Sequence, residues 1–140
     1  MPLLDKNTLL NQTLNKLNSL LNILIPHVKA IILNREVDLE ALEHMNSLLL
    51  VGLKNCYRIS LNNISSGDPR ETFLKNEREL VSEIYRLINN YRHSNTEELS
   101  NLVRQLENLI DNRNRVSHSN VVAKTVDKFV RKSLLGHKPN

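Results

Sequence analysis

The first third of the chain repeats apolar residues at the spacing of one helix face. These residues are Leu10, Leu14, Leu17, Leu21, Leu24, Val28 and Ile31. Because an α-helix has 3.6 residues per turn, their alternating steps of four and three predict one apolar stripe that needs a partner. Pro26 removes a backbone donor, which predicts a kink or a break there. A bundle helix is favoured over a straight coiled coil, with a dimer seam as the alternative.

A second helix is predicted to start at Asp38, whose side chain suits an N-cap. Gly52, within this helix, indicates a close helix crossing. The predicted inward positions are Leu42, Met45, Leu49, Leu53 and Cys56.

The stretch SSGDPRE, residues 65–71, predicts a stop followed by a new helix. Gly67 ends the preceding regular run and Asp68 caps the next helix. Pro69 suits the first helical position, and Glu71 would complete a capping box.

Two further helical patterns follow. The third stripe is Phe73, Glu77, Leu80, Ile84, Leu87 and Tyr91; the fourth is Leu99, Leu102, Leu106 and Leu109, with Ser94 or Thr96 as the cap. Because the connections are short, neighbouring helices should run antiparallel. We therefore predict an all-α antiparallel bundle of four to five helices, with residues 1–140 as one domain and N-terminal helices within 5–64.

Composition agrees with a helical domain in a reducing compartment. The chain has 140 residues, with 40% hydrophobic residues and only three Gly and four Pro, too few for a turn-dense β-sandwich. A lone cysteine forms no internal disulfide. We expect no membrane span and no secretion signal, and hence an intracellular protein, cytoplasmic or, in a eukaryote, nuclear.

Positive charge is concentrated at the C-terminal end. Residues 1–112 hold 12 Lys and Arg against 14 Asp and Glu, whereas residues 113–140 hold seven basic residues against Asp127 alone. Such asymmetry suggests attraction to a polyanion, most commonly nucleic acid. The candidate phosphate contacts are Arg115, Lys124, Lys128, Arg131 and Lys132, although a basic helix that merely faces water fits equally well.

Arg113 and His118 interrupt the helical pattern. One step of four beyond Leu109 reaches Arg113, and one step of four back from Val122 reaches His118. Positions five apart on one continuous helix lie about 140° apart. A break within 117–120, where cap-forming side chains cluster, would let both residues line one concavity.

Such a pair suits cleavage of RNA without a metal. Arginine offers a fork of donors that matches phosphate oxygens, and histidine exchanges a proton near neutral pH. The neighbouring 2′-hydroxyl would be the nucleophile, His118 would assist proton transfer and Arg113 would hold the phosphate. Two copies across a two-fold axis would supply both an acid and a base.

The segment LIDNRNRVSHS resembles the signature of the HEPN superfamily, in which an Arg, a polar residue and a later His join two helices. Here these are Arg113, Asn114 and His118, with Ser117 as the small residue before the His. The resemblance covers residues 70–135. It implies an all-α, usually dimeric fold whose two motifs meet in a cleft, metal-independent RNA cleavage in many members, and inhibitors or other protein partners for some.

Two non-catalytic interpretations stand beside this one. Arg113 and Arg115 could stabilise the carbonyls at a helix C-terminus, with His118 as a structural residue. The bundle could also be a HEPN-like or unrelated module that binds protein or RNA, for example by docking through the leucine stripe of its first helix. The remaining histidines are scattered, so we predict neither a metal site nor a cofactor.

Under the nuclease interpretation, His118→Ala and Arg113→Ala each abolish RNA cleavage, while the circular dichroism spectrum and the dimer are unchanged. An assay of the purified variants with labelled RNA checks this. Undiminished cleavage by both variants would contradict it.

Overall fold

A computed structural model describes the backbone of residues 5–33, 39–91 and 93–137, and side chains in these ranges except 39–42, 44–45, 93 and 118–137. The α-helices are α1 (Lys6–Ile32), α2 (Leu39–Asn63), α3 (Arg70–Asn89) and α4 (Thr96–His137), with a 3₁₀ turn at His93–Asn95. No strand occurs in these ranges. The predicted all-α bundle is therefore confirmed, with four α-helices in the part of the chain that is described.

The helices pack in a closed ring. α1 packs on α2, α2 on α3, α3 on α4, and α4 back on α1, with the two hairpins α1–α2 and α3–α4 in most extensive contact. Short connections force sequence neighbours to run antiparallel. Over the described residues, no helix combines the length and apolar character needed to cross a bilayer.

The leucine stripe of α1 lies inside this ring. Six of its seven predicted residues are buried, namely Leu10, Leu14, Leu17, Leu21, Leu24 and Val28. The interpretation of this stripe as a dimer seam or docking surface is therefore wrong, because the chain's own helices bury it, with α2 and α4 packed against α1. Of the kink or break predicted at Pro26, the break does not occur, since α1 runs through this residue. Pro26 is exposed, so the carbonyl left without a helical donor lies on the side open to water.

The crossing of α1 and α2 is close at Gly52, as predicted. A Cβ atom built on Gly52 would lie 3.2 Å from Cδ1 of Leu20. The predicted inward residues Leu49, Leu53 and Cys56 are buried. The predicted cap at Asp38 and the side chains at 42 and 45 lie outside the described residues.

The turn between α2 and α3 has most of the predicted backbone conformation and capping hydrogen bonds. Gly67 adopts a φ of 86°. Oδ1 of Asp68 accepts the backbone N–H of Arg70, the first residue of α3, at 3.0 Å, so Asp68 supplies the predicted capping hydrogen bond. Pro69 stands at the N-cap position, one residue before the first helical position predicted for it. The predicted capping box is wrong, because Glu71 forms an ion pair with Lys75 and the N–H of Asp68 donates to the carbonyl of Ser65.

The fourth helix differs most from prediction. α4 is continuous over 42 residues, so the break expected within 117–120 is wrong and the predicted fifth helix is the end of α4. Leu99, Val103 and Leu106 are buried, whereas Leu102 and Leu109 are half-buried. The buried face of α4 is thus centred slightly away from the leucine stripe that the sequence indicated.

Gly67→Ala should lower the free energy of unfolding by about 1 kcal/mol, the usual cost of a left-handed conformation for a residue with a side chain. Nothing lies within 4 Å of the added Cβ, so backbone strain alone acts. Urea denaturation checks this against the exposed neighbouring change Ser66→Ala. Equal stabilities of the two variants would contradict the strain.

Candidate functional site

Arg113 lies in the core of the bundle. Only 1% of its surface is exposed, which makes it one of the largest fully buried side chains among the described residues. It continues the inward face of α4 two turns beyond Leu106, where an apolar residue would be expected. A buried guanidinium keeps its charge and needs a compensating partner.

Glu77 of α3 is that partner. Its Oε2 accepts the Nε–H of Arg113 at 2.7 Å, and its Oε1 accepts an Nη2–H at 3.1 Å. The carboxylate itself is completely buried. This is a bidentate ion pair, in which two parallel hydrogen bonds fix both side chains.

The ion pair extends to the other two helices. Tyr57 of α2 donates its hydroxyl to Oε1 of Glu77 at 3.2 Å. Asn18 of α1 accepts a second Nη2–H of Arg113 at 2.8 Å and donates to Oδ1 of Asn114 at 3.2 Å. The same Asn114 oxygen accepts from Nη1 of Arg113 at 3.2 Å. One hydrogen-bonded network therefore joins all four helices, and we call these five residues the Arg113 network.

Burial sets the proton affinities of the two acidic groups in this network. Desolvation raises the pKa of Glu77, and the hydrogen bonds and charge of Arg113 oppose that rise. The pKa of Tyr57 lies well above its ordinary value because burial and the neighbouring carboxylate both disfavour a phenolate. Tyr57 therefore keeps its hydroxyl hydrogen and donates it in the hydrogen bond to Oε1 of Glu77, while Oε2 accepts from Arg113.

The residues of the HEPN-like motif beside Arg113 differ in their exposure and in their hydrogen-bond partners. Asn114 is exposed but bonded within the Arg113 network, and Ser117 is half-buried with its Oγ 3.4 Å from Nη1 of Arg70. Arg115 is exposed. The side chains of His118 and of the predicted phosphate contacts Lys124, Lys128, Arg131 and Lys132 lie outside the described residues.

The continuous backbone of α4 changes the expected relation between Arg113 and His118. A regular helix separates positions five apart by about 140° around its axis. The break that was to bring both residues to one concavity does not occur, and Arg113 is enclosed in the core instead of lining an open cleft. The alternative that Arg113 and Arg115 lie near a helix C-terminus is equally wrong, because α4 continues to His137.

Sequence reasoning assigned no role to Glu77, Tyr57 or Asn18. A signal for the first was present: Glu77 occupies an inward position of the third predicted stripe, and Arg113 occupies the matching position of the fourth. Two opposite charges on facing apolar stripes indicate a buried ion pair. Nothing comparable indicates Asn18, since asparagine is common throughout the chain.

Comparison with known proteins identifies no relative of this chain. No family model matches the chain, and no similar protein was found among curated proteins or solved structures. Within the described part of the chain, no three His, Cys, Asp or Glu side chains gather as a metal site requires. The site must therefore be interpreted from its own geometry.

Glu77→Gln should lower the free energy of unfolding by about 3 kcal/mol, because it leaves the Arg113 charge buried without a countercharge. Chemical denaturation measures this. The matched control is Glu83→Gln, which removes an exposed carboxylate paired with Arg86 on the same helix and should leave stability unchanged. Equal effects of the two changes would contradict a structural ion pair.

Arg113→Met completes a double-mutant cycle with Glu77→Gln. The double variant should be more stable than the sum of the single losses implies, by at least about 1 kcal/mol, because the second change removes a group that the first has left unpaired. Strict additivity would show that the two side chains act independently.

Proposed function

We propose that this chain is a non-catalytic helical module that binds another protein, and that Arg113 of its HEPN-like motif stabilises the bundle. The guanidinium itself is the observation that supports a non-catalytic role, and the exposed apolar side chains of Leu48 and Val51 support a protein-binding one. Four of the five N–H donors of Arg113 are engaged by Glu77, Asn18 and Asn114. A residue held in this way provides structure instead of a phosphate site.

Phosphate binding at Arg113 would require the ion pair to open. The Glu77 carboxylate lies 2.7 Å from Nε and would repel an incoming phosphate. Releasing the guanidinium would leave Glu77 buried without its partner, at a cost of about 3–5 kcal/mol. That cost would oppose the transition-state stabilisation that a catalytic arginine must supply.

Metal-independent endoribonuclease activity at a composite dimer site is the competing proposal. The observation that favours it is the RNRVSH motif followed by a basic C-terminal segment. It requires a homodimer, RNA as substrate, and a rearrangement that frees Arg113 from Glu77. The basic side chains of α4 would then hold the RNA backbone.

Incubation with labelled RNA in EDTA separates the two proposals. The wild-type protein, His118→Ala and the control Arg104→Ala, which changes an exposed arginine of α4 outside the candidate phosphate contacts, are purified in parallel and compared at equal concentration. We expect the same background for all three, because no catalytic arginine is available. Arg113→Ala is unsuitable here, since it removes part of the core as well as a candidate catalytic group.

Cleavage by the wild-type and Arg104→Ala proteins that is absent from His118→Ala would contradict the binding-module proposal. It would establish His118 as a catalytic residue and support the nuclease. Cleavage that all three proteins share equally would indicate a contaminant and leave the bundle without catalytic activity of its own.

A further inference from the structure

Large apolar side chains stand exposed on the outer side of the α1–α2 hairpin. The exposed fractions are 74% for Leu48, 58% for Val51 and 45% for Ile23. Leu20 lies beside them, half-buried against Gly52. We call these four residues the outer patch.

The register of the two helices makes the outer patch continuous. Leu20 faces Gly52, so in an antiparallel pair Ile23, three residues later on α1, lies at the level of residues about three earlier on α2. Leu48 lies there. Val51 follows Leu48 by three positions and shares its face. The apolar side chains therefore adjoin across the hairpin instead of being scattered singly.

Positive charge lies at one end of this surface. Lys16 precedes Ile23 by seven residues and Arg58 follows Val51 by seven, so both extend the same faces by two turns toward the same end of the hairpin. Both are exposed, and Lys16 lines a groove of about 270 Å³ between α1 and α2. The sequence contains no Asp or Glu in residues 6–32 or 44–67.

We propose that the outer patch docks an amphipathic helix of another protein whose apolar face meets Ile23, Leu48 and Val51 and whose carboxylates meet Lys16 and Arg58. Charge complementarity argues for this occupant. A second copy of the same face would offer no carboxylate to either basic residue. A groove between two antiparallel helices accommodates a third helix by ordinary ridge packing. This inference rests on the proposed binding function and identifies the chemistry of the partner.

Three designed 21-residue helical peptides test the inference. Each has the same leucine stripe over its first half and differs only in the exposed residues of its second half, which are Glu, Gln or Lys. Fluorescence anisotropy measures their affinities for the full chain. We expect the Glu peptide to bind at least about tenfold more tightly than the Lys peptide, with a preference that weakens as salt rises.

Variants locate the binding surface. Leu48→Asp and Val51→Asp should each weaken binding of the Glu peptide at least about tenfold, because they place a carboxylate in the apolar contact. Leu33→Asp is the matched control, since Leu33 is 63% exposed but lies at the end of α1, beside a groove shared with α4. It should bind like the wild-type protein.

Several results would overturn the inference. Equal affinities for the three peptides would do so, as would a loss of peptide affinity in Leu33→Asp as large as that in Leu48→Asp. A wild-type dimer in ultracentrifugation that Leu48→Asp dissociates would show that the patch binds a second copy. Binding to phosphatidylserine vesicles that Leu48→Asp abolishes would show that it binds a membrane surface. The RNA assay tests the proposed function independently of these results. Cleavage that depends on His118 would refute the binding function, whereas failure of the peptides alone would refute only this partner.

Discussion

The buried ion pair between Glu77 and Arg113 is the constraint on which the arrangement of this bundle depends. A charge in a core must be matched with good geometry, or the fold loses several kcal/mol. Here Glu77 of α3 supplies the countercharge, and the remaining hydrogen bonds of the ion pair come from Tyr57 of α2, Asn18 of α1 and Asn114 of α4. Burial of apolar surface has no preferred direction, whereas a bidentate ion pair requires one relative position of its two side chains. The Arg113 network therefore fixes which helices are neighbours and at what register.

The same network changes how the HEPN-like motif is understood. A motif specifies residue types and their spacing. Catalysis also requires that the substrate can reach the side chains and that these have hydrogen-bond donors available for it. Arg113 is enclosed in the core and four of its five N–H donors are already engaged, and Asn114 and Ser117 are bonded to other side chains of the bundle. An arginine at this position can persist because the core needs it. A nuclease built on this scaffold would have to exchange an intramolecular carboxylate for a phosphate.

Sequence periodicity predicted most of the fold because the four apolar stripes are regular and the turn at SSGDPRE is strongly marked. It failed where a single residue had to be judged without its partner. Pro26 suggested a break, yet packing on both sides of it holds α1 together. The cap-forming residues after Ser117 suggested another, yet α4 continues through them. Arg113 and Glu77 both occupy inward positions of their predicted stripes, but periodicity alone does not say which positions of two helices face each other across 36 residues, and the folded chain supplies that pairing.

The proposed function follows from which side chains the bundle buries and which it leaves exposed. Arg113, which looked catalytic, is inside, where it holds the helices together, and the apolar residues Leu48 and Val51 are outside, exposed to solvent. The state of the Arg113 guanidinium tests this account most directly. In ¹⁵N-resolved NMR spectra, the Nε–H signal of Arg113 should exchange with water far more slowly than that of exposed Arg115, should vanish in Arg113→Met, and should not shift when inorganic phosphate is added. Exchange as fast as that of Arg115, together with a phosphate-dependent shift, would contradict the account and place Arg113 in an accessible site.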